Sequence, residues 1–187
     1  MVRPYFYKRE YYLMLKIFST QLNGVFQKIV KQEEVFEDAS RFLAQAVIGE
    51  GCVYVHGTKE FAGIVSEITD GAEQNDSIKP LLINGEIQSL SPVDRVLLFT
   101  RQTDDQEAIL LANKLLESNV GLVIVSTTIN GEDHLSELAD VFINYELTRK
   151  LVPTDEGDRI CLPTLLTGLF IYHCLLLTMS EILSDFD

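Results

Sequence analysis

The chain has 187 residues, of which 47% are hydrophobic and 23% are charged. These values predict one globular domain with a full core, and they exclude a disordered chain. The formal net charge of -13 repels the phosphates of nucleic acids and argues against a nucleic-acid partner. An anionic ligand therefore requires a local arrangement of donors.

The first part of the chain predicts a long helix. Apolar residues recur with helical spacing from Leu15 to Val47, and Gly49 ends the pattern. Residues 1–14 are rich in aromatic and basic side chains but hold no apolar run long enough for a signal-peptide core. We interpret them as an extension that precedes a single domain of residues 15–187.

Five apolar segments after this helix are predicted strands, and helical patterns separate most of them. The strands cover residues 52–56, 80–83, 96–100, 122–125 and 141–145. The helices between them cover residues 60–70, 106–118 and 135–139. This alternation predicts right-handed crossover units and an α/β fold, with a parallel sheet covered on both faces.

The C-terminal segment requires a membrane test. No formally charged residue lies between Ile160 and Ser180, which is long enough to span a bilayer. Polar residues interrupt the segment, however, and the acidic chain end provides no basic anchor. We predict a buried C-terminal helix, covered in part by a partner subunit, and no membrane contact. The preceding polar residues, 146–158, are predicted to form a loop.

The three cysteines, Cys52, Cys161 and Cys174, lack the number and spacing of a disulfide framework or a zinc site. We predict buried structural thiols, which fits a reducing cytoplasm. No spacing of His, Cys and Asp predicts a metal site, and no cofactor is expected. No glycine-rich dinucleotide motif or P-loop follows a strand.

Three of the predicted strands run directly into loops that carry hydroxyl groups. In an open parallel sheet such loops meet at the carboxyl edge, beside helix N-termini that attract anions. The pattern predicts a site for a phosphorylated small molecule. It does not by itself predict catalysis.

The first of these loops is Gly57-Thr58-Lys59. Gly57 permits a tight turn, Thr58 can donate a hydrogen bond, and Lys59 can pair with a phosphate. The same residues are also typical of an ordinary strand-to-helix turn with a capping threonine and a solvated lysine. Both interpretations stay open.

The last of the three loops is Ser126-Thr127-Thr128. Three consecutive hydroxyls and free backbone N–H groups form a plausible anion cradle. In the alternative, the threonines continue the strand and the hydroxyls bond locally. We favour the ligand interpretation.

The middle loop, Thr100 to Asp105, carries conflicting signals. Thr100, Thr103 and Arg101 could bond a sugar or a phosphate. Asp104 and Asp105 would repel a phosphate, and acidic residues are typical of a helix N-terminus. If they occupy that terminus, the phosphate cannot.

Candidates for acid–base chemistry are few. Glu67 lies on the helix after the first loop, and His173 lies in the apolar C-terminal helix. A carboxylate or imidazole in such positions is more often structural than catalytic, so neither is assigned from its position alone.

The layout resembles the sugar isomerase (SIS) domain. The similar stretches are residues 53–58, 96–100 and 123–127, together with Leu138-Ala-Asp-Val-Phe-Ile143. The resemblance implies a three-layer, single-domain fold, with a five-stranded parallel sheet of flavodoxin-like type and long N- and C-terminal helices. It covers residues 15–183 and is most similar to a small bacterial group near the phosphoheptose isomerases.

The resemblance also implies a site. It would place a phosphosugar on the strand-end loops, and a catalytic Glu and His in the regions of Glu67 and His173. It further implies a homodimer or tetramer. The second loop departs from the family, because Arg101 and Gln102 replace small residues.

These observations predict a cytoplasmic protein that binds a phosphorylated sugar or a related carbohydrate derivative. The predicted ligand residues are Gly57, Thr58, Lys59, Thr100, Thr103, Ser126, Thr127 and Thr128. Two alternatives remain: an aldose–ketose phosphosugar isomerase, and a non-catalytic regulatory or scaffold protein that has kept the fold.

Overall fold

The computed structural model of the protein describes residues 5–129 and 134–186. The helices in these ranges are α1 (Tyr5–Val30), α2 (Glu33–Ile48), α3 (Ala62–Asp70), α4 (Gln106–Glu117), α5 (His134–Leu138) and α6 (Thr164–Ser184). The strands are β1 (Val53–Gly57), β2 (Ile78–Pro80), β3 (Leu82–Ile83), β4 (Glu86–Ile87), β5 (Arg95–Phe99), β6 (Gly121–Ser126), β7 (Val141–Asn144), β8 (Val152–Pro153) and β9 (Arg159–Ile160).

Five strands form one parallel sheet in the order β2-β1-β5-β6-β7. Counted along the chain within this sheet, the order is 2-1-3-4-5, which is the flavodoxin-like arrangement. This confirms the predicted fold class. The direction of strand addition reverses between β1 and β5, and in such sheets the ligand crevice lies beyond the carboxyl ends of those two strands.

Alternate residues of each central strand face opposite sides of the sheet. Leu97 and Phe99 of β5 pack in one core cluster with α1, α2, α3 and α6. Val96 and Leu98 pack in the other cluster with α4 and α5. The strands read as continuous apolar runs because both faces of the sheet are covered. The result is the predicted three-layer architecture.

The predicted N-terminal helix is two helices. α1 ends at Val30, and α2 begins at Glu33 after a short break. α1 begins at Tyr5, so its backbone crosses the boundary predicted after residue 14, and residues 1–4 lie outside the described ranges.

Two short hairpins lie outside the main sheet. β3 and β4 pair antiparallel around Asn84 and Gly85, both of which have positive φ. β8 and β9 also pair antiparallel. The prediction that residues 146–158 are only loop was therefore wrong, because β8 lies in that segment. The predicted strand at 80–83 is divided between β2 and β3.

α6 is the described helix that is long and apolar enough to cross a membrane by length and composition. It packs chiefly against α2, and its buried Ile171 and Leu175 belong to the core. Leu166 and Leu177 remain 44% and 68% exposed. The helix is thus a core element with an uncovered apolar face, not a helix buried on every side within one chain.

Candidate functional site

The carboxyl edge of the sheet brings the first and second predicted loops together. Thr58 follows β1 and Thr100 follows β5, and the two strands are neighbours. Both side chains are buried, and their hydroxyl oxygens lie 3.0 Å apart. The loops therefore meet at the topological switch point, as the sequence predicted.

The carboxylate of Asp105 occupies this crevice. Thr58 and Thr100 donate hydrogen bonds to its Oδ2 at 3.0 and 2.9 Å. Lys59 Nζ lies 2.8 Å from the same oxygen. Three of the predicted ligand side chains thus converge on an anion that belongs to the chain itself.

Asp105 is held there because it also caps α4. Its backbone is extended, and its Oδ1 accepts a hydrogen bond from the Glu107 N–H at 3.2 Å. Burial acts to raise the pKa of Asp105, but the bonds from Lys59, Thr100 and Thr58 outweigh it and lower the pKa. The residue is therefore ionised, and the predicted role of an acidic residue at this helix N-terminus is confirmed.

Backbone geometry directs Lys59 to this carboxylate. A Cβ added to Gly57 would lie 2.2 Å from the carbonyl oxygen of Phe61, so the tight turn after β1 requires glycine. Lys59 itself has φ +53°, in the left-handed region. The lysine is half exposed, whereas the side chain of Asp105 is 4% exposed.

A second ion pair crosses the same edge. The guanidinium of Arg101 donates to both carboxylate oxygens of Glu60, at 2.7 and 2.6 Å, and Thr164 donates to Glu60 at 2.6 Å. The hydrogen bond from Arg101 makes the largest contribution to lowering the pKa of Glu60 to about 2. Tyr145 donates to the carbonyl of Arg101. Arg101, predicted as an anion contact, is paired with the chain's own carboxylate.

Thr103 joins the middle and last loops. Its N–H donates to the carbonyl of Thr127, and its hydroxyl accepts from the N–H of Ile129 at 3.4 Å. It is fully buried. Its contacts hold the loops after β5 and β6 in register.

Of the hydroxyls at this edge of the sheet, those at the end of β6 have the fewest hydrogen-bond partners. Ser126 Oγ is fully buried and makes no hydrogen bond to any part of the chain that the structure describes. Thr127 Oγ1 is also buried and makes no hydrogen bond of normal geometry with those residues. It lies beside the hydroxyl of Tyr145, whose pKa is raised by burial, and Thr127 partly offsets that rise. Thr128 Oγ1 accepts from Asn144 at 3.1 Å. Buried polar groups are normally bonded, so these hydroxyls require an explanation.

A cleft of about 620 Å³ opens beside the carboxyl ends of β6 and β7. One wall is a face of α1 that includes Gln21, Gly24 and Lys28. Thr127 and Thr128 line the floor of the cleft, and residues 144–149 complete its rim.

The cleft contains residues that were not predicted as ligands. Lys28 and Arg149 are both exposed and form no ion pair with a carboxylate of the described ranges. Sequence reasoning missed them because α1 reaches the sheet edge only in the folded chain. The sequence offered no local signal for Lys28, which lies in the last turn of α1 but in the middle of the helix predicted from Leu15 to Val47.

Glu67 and His173 lie elsewhere. Both flank Tyr172: burial raises the pKa of Tyr172 to about 12 with a further contribution from Glu67, and the His173 ring lies 5.5 Å from the Tyr172 ring. His173 is exposed and lies nine residues, about 14 Å of helix, beyond Thr164. The two residues thus share a neighbourhood that is away from the Thr58–Thr100 crevice.

Cys161 corrects the prediction of three buried thiols. It is exposed, has φ +62° and precedes α6 instead of lying in it. Cys52 and Cys174 are partly buried. Among the side chains that the structure describes, those of residues 12–129 and 134–186, no group of three or more His, Cys, Asp or Glu is placed to hold a metal ion.

Comparison with known proteins gives a family and a fold. The model of a domain of unknown function, DUF2529, matches residues 14–183. The uncharacterised protein YwjG of Bacillus subtilis (strain 168) is 38% identical over 174 residues, which cover 92% of this chain and 99% of that protein.

Two solved structures share the architecture at 12% identity. A hypothetical protein of Methanococcus jannaschii, for which a 3-hexulose-6-phosphate isomerase function was inferred, has a TM-score of 0.56 and covers 92% of this chain and 90% of its own. The sugar isomerase domain of an RpiR transcription factor from Sphaerobacter thermophilus has a TM-score of 0.51 and covers 90% and 96%. The fold is therefore that of the SIS domain, as the sequence resemblance implied.

Proposed function

Because the chain belongs to the DUF2529 family and has the SIS fold, we propose that it binds a phosphorylated sugar or a related carbohydrate derivative. The site is the carboxyl edge of the sheet, on the side formed by β6 and β7. Thr127 and Thr128, which line the cleft there, contribute the hydroxyls. Ser126, also a predicted ligand residue, is fully buried and does not line the cleft. The proposal narrows the predicted ligand set, since Thr58, Lys59 and Thr100 bind Asp105 instead.

The observation that carries the proposal is the buried hydroxyl of Thr127 at the end of β6, which lines the cleft and makes no hydrogen bond of normal geometry to the described residues. A buried polar group without a partner costs about 1–3 kcal/mol. In native proteins such groups are found where a ligand, an ion or water satisfies them. The adjacent cleft is large enough for a sugar phosphate, because ligand pockets generally measure about 300–1,000 Å³.

The structural neighbours support the class of ligand. One is a protein for which a hexulose-phosphate isomerase function was inferred, and the other is a sugar isomerase domain of a transcription factor. The second belongs to a transcription factor, so the fold occurs in a regulator as well as in a protein with an inferred isomerase function. Ligand binding is the property that both roles require.

The geometry favours binding over isomerisation. Aldose–ketose isomerisation requires a base within hydrogen-bond reach of the sugar carbons. Glu60 and Asp105, the carboxylates at the crevice, have lowered pKa values and are fixed by cationic partners. Glu67 and His173 flank Tyr172 instead. We therefore propose a sensor or regulatory protein, with the isomerase as the second candidate.

We also propose a cytoplasmic homodimer, or a tetramer built from such dimers. The uncovered apolar face of α6 is one surface that a second copy would bury. On α1, Tyr12, Leu13 and Leu15 are 59–68% exposed and provide further apolar area.

A thermal-shift screen tests the function. The melting temperature is measured with triose to heptose phosphates, with the parent sugars and with inorganic phosphate. Stabilisation by a sugar phosphate beyond that of its sugar is expected. Stabilisation without turnover identifies a sensor, and turnover identifies the isomerase. No stabilisation by any sugar phosphate contradicts the proposal and favours a scaffold.

A further inference from the structure

Resting on the proposed function, we propose that the anionic group of the ligand binds between Lys28 of α1 and Arg149 of the segment after β7, outside the switch-point crevice. The ligand class is a phosphomonoester of a small polyhydroxylated molecule. Its hydroxylated body lies against Thr127 and Thr128.

The crevice itself is closed to a second anion. Asp105 Oδ2 already accepts from Thr58 and Thr100 and pairs with Lys59. A phosphate placed there would have to displace this carboxylate and remove the cap of α4, or lie beside it as a like charge. A phosphorylated ligand therefore needs a separate anchor.

The cleft supplies that anchor. Lys28 of α1 and Arg149 of the segment after β7 both line it, and neither forms an ion pair with a carboxylate of the described residues. Glu146 also lines the cleft, so the local formal charge of these three is +1. In a chain of net charge -13, two cations that face one cleft form a local basic site. An arginine and a lysine together suit a phosphate, through paired N–H groups and a point charge.

Gly24 keeps the cleft open. It lies in the interior of α1, where glycine is less favourable than alanine. An added Cβ meets no atom within 4 Å, so packing does not explain the glycine. Gly24 lines the cleft one turn before Lys28, and the missing side chain leaves room for a ligand beside the lysine.

The floor of the cleft suits hydroxyl groups. The buried hydroxyl of Thr127 makes no hydrogen bond of normal geometry to the described part of the chain. Thr128 Oγ1 accepts from Asn144, which leaves the hydroxyl hydrogen of Thr128 to donate elsewhere. These groups lie in the same cleft as the two cations.

Amide-resolved NMR titration with inorganic phosphate tests the anchor. It is carried out on the wild-type chain and on Lys28→Gln, Arg149→Gln and Lys59→Gln, with Lys114→Gln as a control at an exposed lysine of α4. All four side chains are at least half exposed or lie on the surface, so the variants should fold, and their melting temperatures check this. Gly24→Met is added to fill the cleft.

Phosphate is expected to shift the amides of residues 24–28 and 144–149. Lys28→Gln and Arg149→Gln should each weaken its affinity about tenfold, and Gly24→Met should weaken it too. Lys59→Gln and Lys114→Gln should not. Shifts centred on Thr58 and Thr100, an affinity in the two cleft variants equal to that of the wild type, or no shifts in the cleft would each overturn the proposed anchor.

The same titration, repeated with the sugar phosphates of the thermal-shift screen, separates this inference from the proposed function. Phosphate binding in the cleft without binding of any sugar phosphate supports the anchor and contradicts the carbohydrate ligand. Sugar-phosphate binding that Lys28→Gln and Arg149→Gln leave unchanged supports the function and overturns the anchor.

Discussion

Lys59 and Asp105 form an ion pair across the switch point of the sheet, with 2.8 Å between Nζ and Oδ2. The lysine follows β1, and the aspartate caps the N-terminus of α4, which follows β5. Thr58 and Thr100 donate to the same oxygen. In open parallel sheets this crevice commonly receives a ligand. Here the carboxylate of Asp105 supplies the negative charge that the surrounding donors bind, so the contacts in the crevice stabilise the fold itself.

Replacement of Asp105 by Asn should destabilise the fold by about 1–3 kcal/mol, because Lys59 and the two buried hydroxyls lose a charged acceptor. Asn still caps α4, so the helix N-terminus should persist. Urea denaturation measures the change. Asp104→Asn removes an exposed neighbouring charge and should alter stability by less than about 0.5 kcal/mol. Equal effects of the two changes would argue against the role of Asp105.

The Glu60–Arg101 pair predicts an acid-sensitive contribution to stability. The pKa of Glu60 is lowered from 4.5 to about 2, so its contribution is complete above pH 4.5 and is lost as the pH falls towards 2. Between these values the wild type should lose about 2 kcal/mol more than Glu60→Gln, an amount that allows for the solvent exposure of Arg101. Unfolding measured at several pH values tests this.

Glu37→Gln is the matched control for this prediction. Glu37 pairs with Arg41 on the surface of α2, where both side chains are 59% exposed. Its removal should leave the acid dependence almost unchanged. If the stability of the wild type and of Glu60→Gln decreased equally as the pH was lowered, the result would contradict the assigned Glu60–Arg101 pair.

Two glycine substitutions should have opposite effects. Gly24→Ala should stabilise the chain by about 0.5–1 kcal/mol, because α1 gains a better helix former and the added Cβ meets no atom within 4 Å. Gly168→Ala in α6 places its Cβ 2.4 Å from Cε1 of Phe61 and should destabilise by about 1–3 kcal/mol. Thermal unfolding compares them, and a loss of stability in Gly24→Ala would contradict an open wall.

Ser126→Ala separates ligand binding from folding. Its hydroxyl has no partner in the described part of the chain, so its removal should leave the free protein equally stable or more stable by about 1 kcal/mol. The stabilisation by the most effective sugar phosphate should be retained, because Ser126 does not line the cleft. Ser91→Ala is the contrast, because the Ser91 hydroxyl donates to Asp94 at 2.8 Å and its loss should destabilise. A marked destabilisation by Ser126→Ala, or a loss of the stabilisation by the sugar phosphate, would contradict the account.

The exposed face of α6 predicts how the subunits associate. Leu177→Lys should convert the proposed dimer into monomers, because a charge in an apolar interface is costly. Leu110→Lys on α4 is the matched control, since the two leucines are 68% and 69% exposed. Light scattering after size-exclusion chromatography measures both. Monomeric wild-type protein, or equal dissociation by the two variants, would exclude α6 from the interface.

The main sheet could be predicted because its strands are buried on both faces. The sequences of β1, β5 and β6 are continuous apolar runs. Each run is followed by a loop that its hydroxyl residues make recognisable in the sequence. The hairpins β3–β4 and β8–β9 could not be predicted, because two-residue strands are defined by their pairing partners and not by a local pattern.

The site was predicted only in part for a similar reason. The conflict between Asp105 and a phosphate can be read locally, since Thr100 and Asp105 are five residues apart. The convergence of Lys28 with Arg149 is long-range, and neither residue belongs to a recognisable motif. The hydroxyls of Ser126 and Thr127 were predicted by type and position, whereas their lack of partners depends on the folded surroundings.

The most direct test of the central claim is a crystal structure grown with the sugar phosphate that stabilises the protein most. The account predicts the sugar against Thr127 and Thr128, its phosphate within ion-pairing distance of Lys28 and Arg149, and the Lys59–Asp105 pair intact. A phosphate bound by Lys59 with Asp105 displaced, or a carboxyl edge at β6 and β7 without ligand, would contradict it.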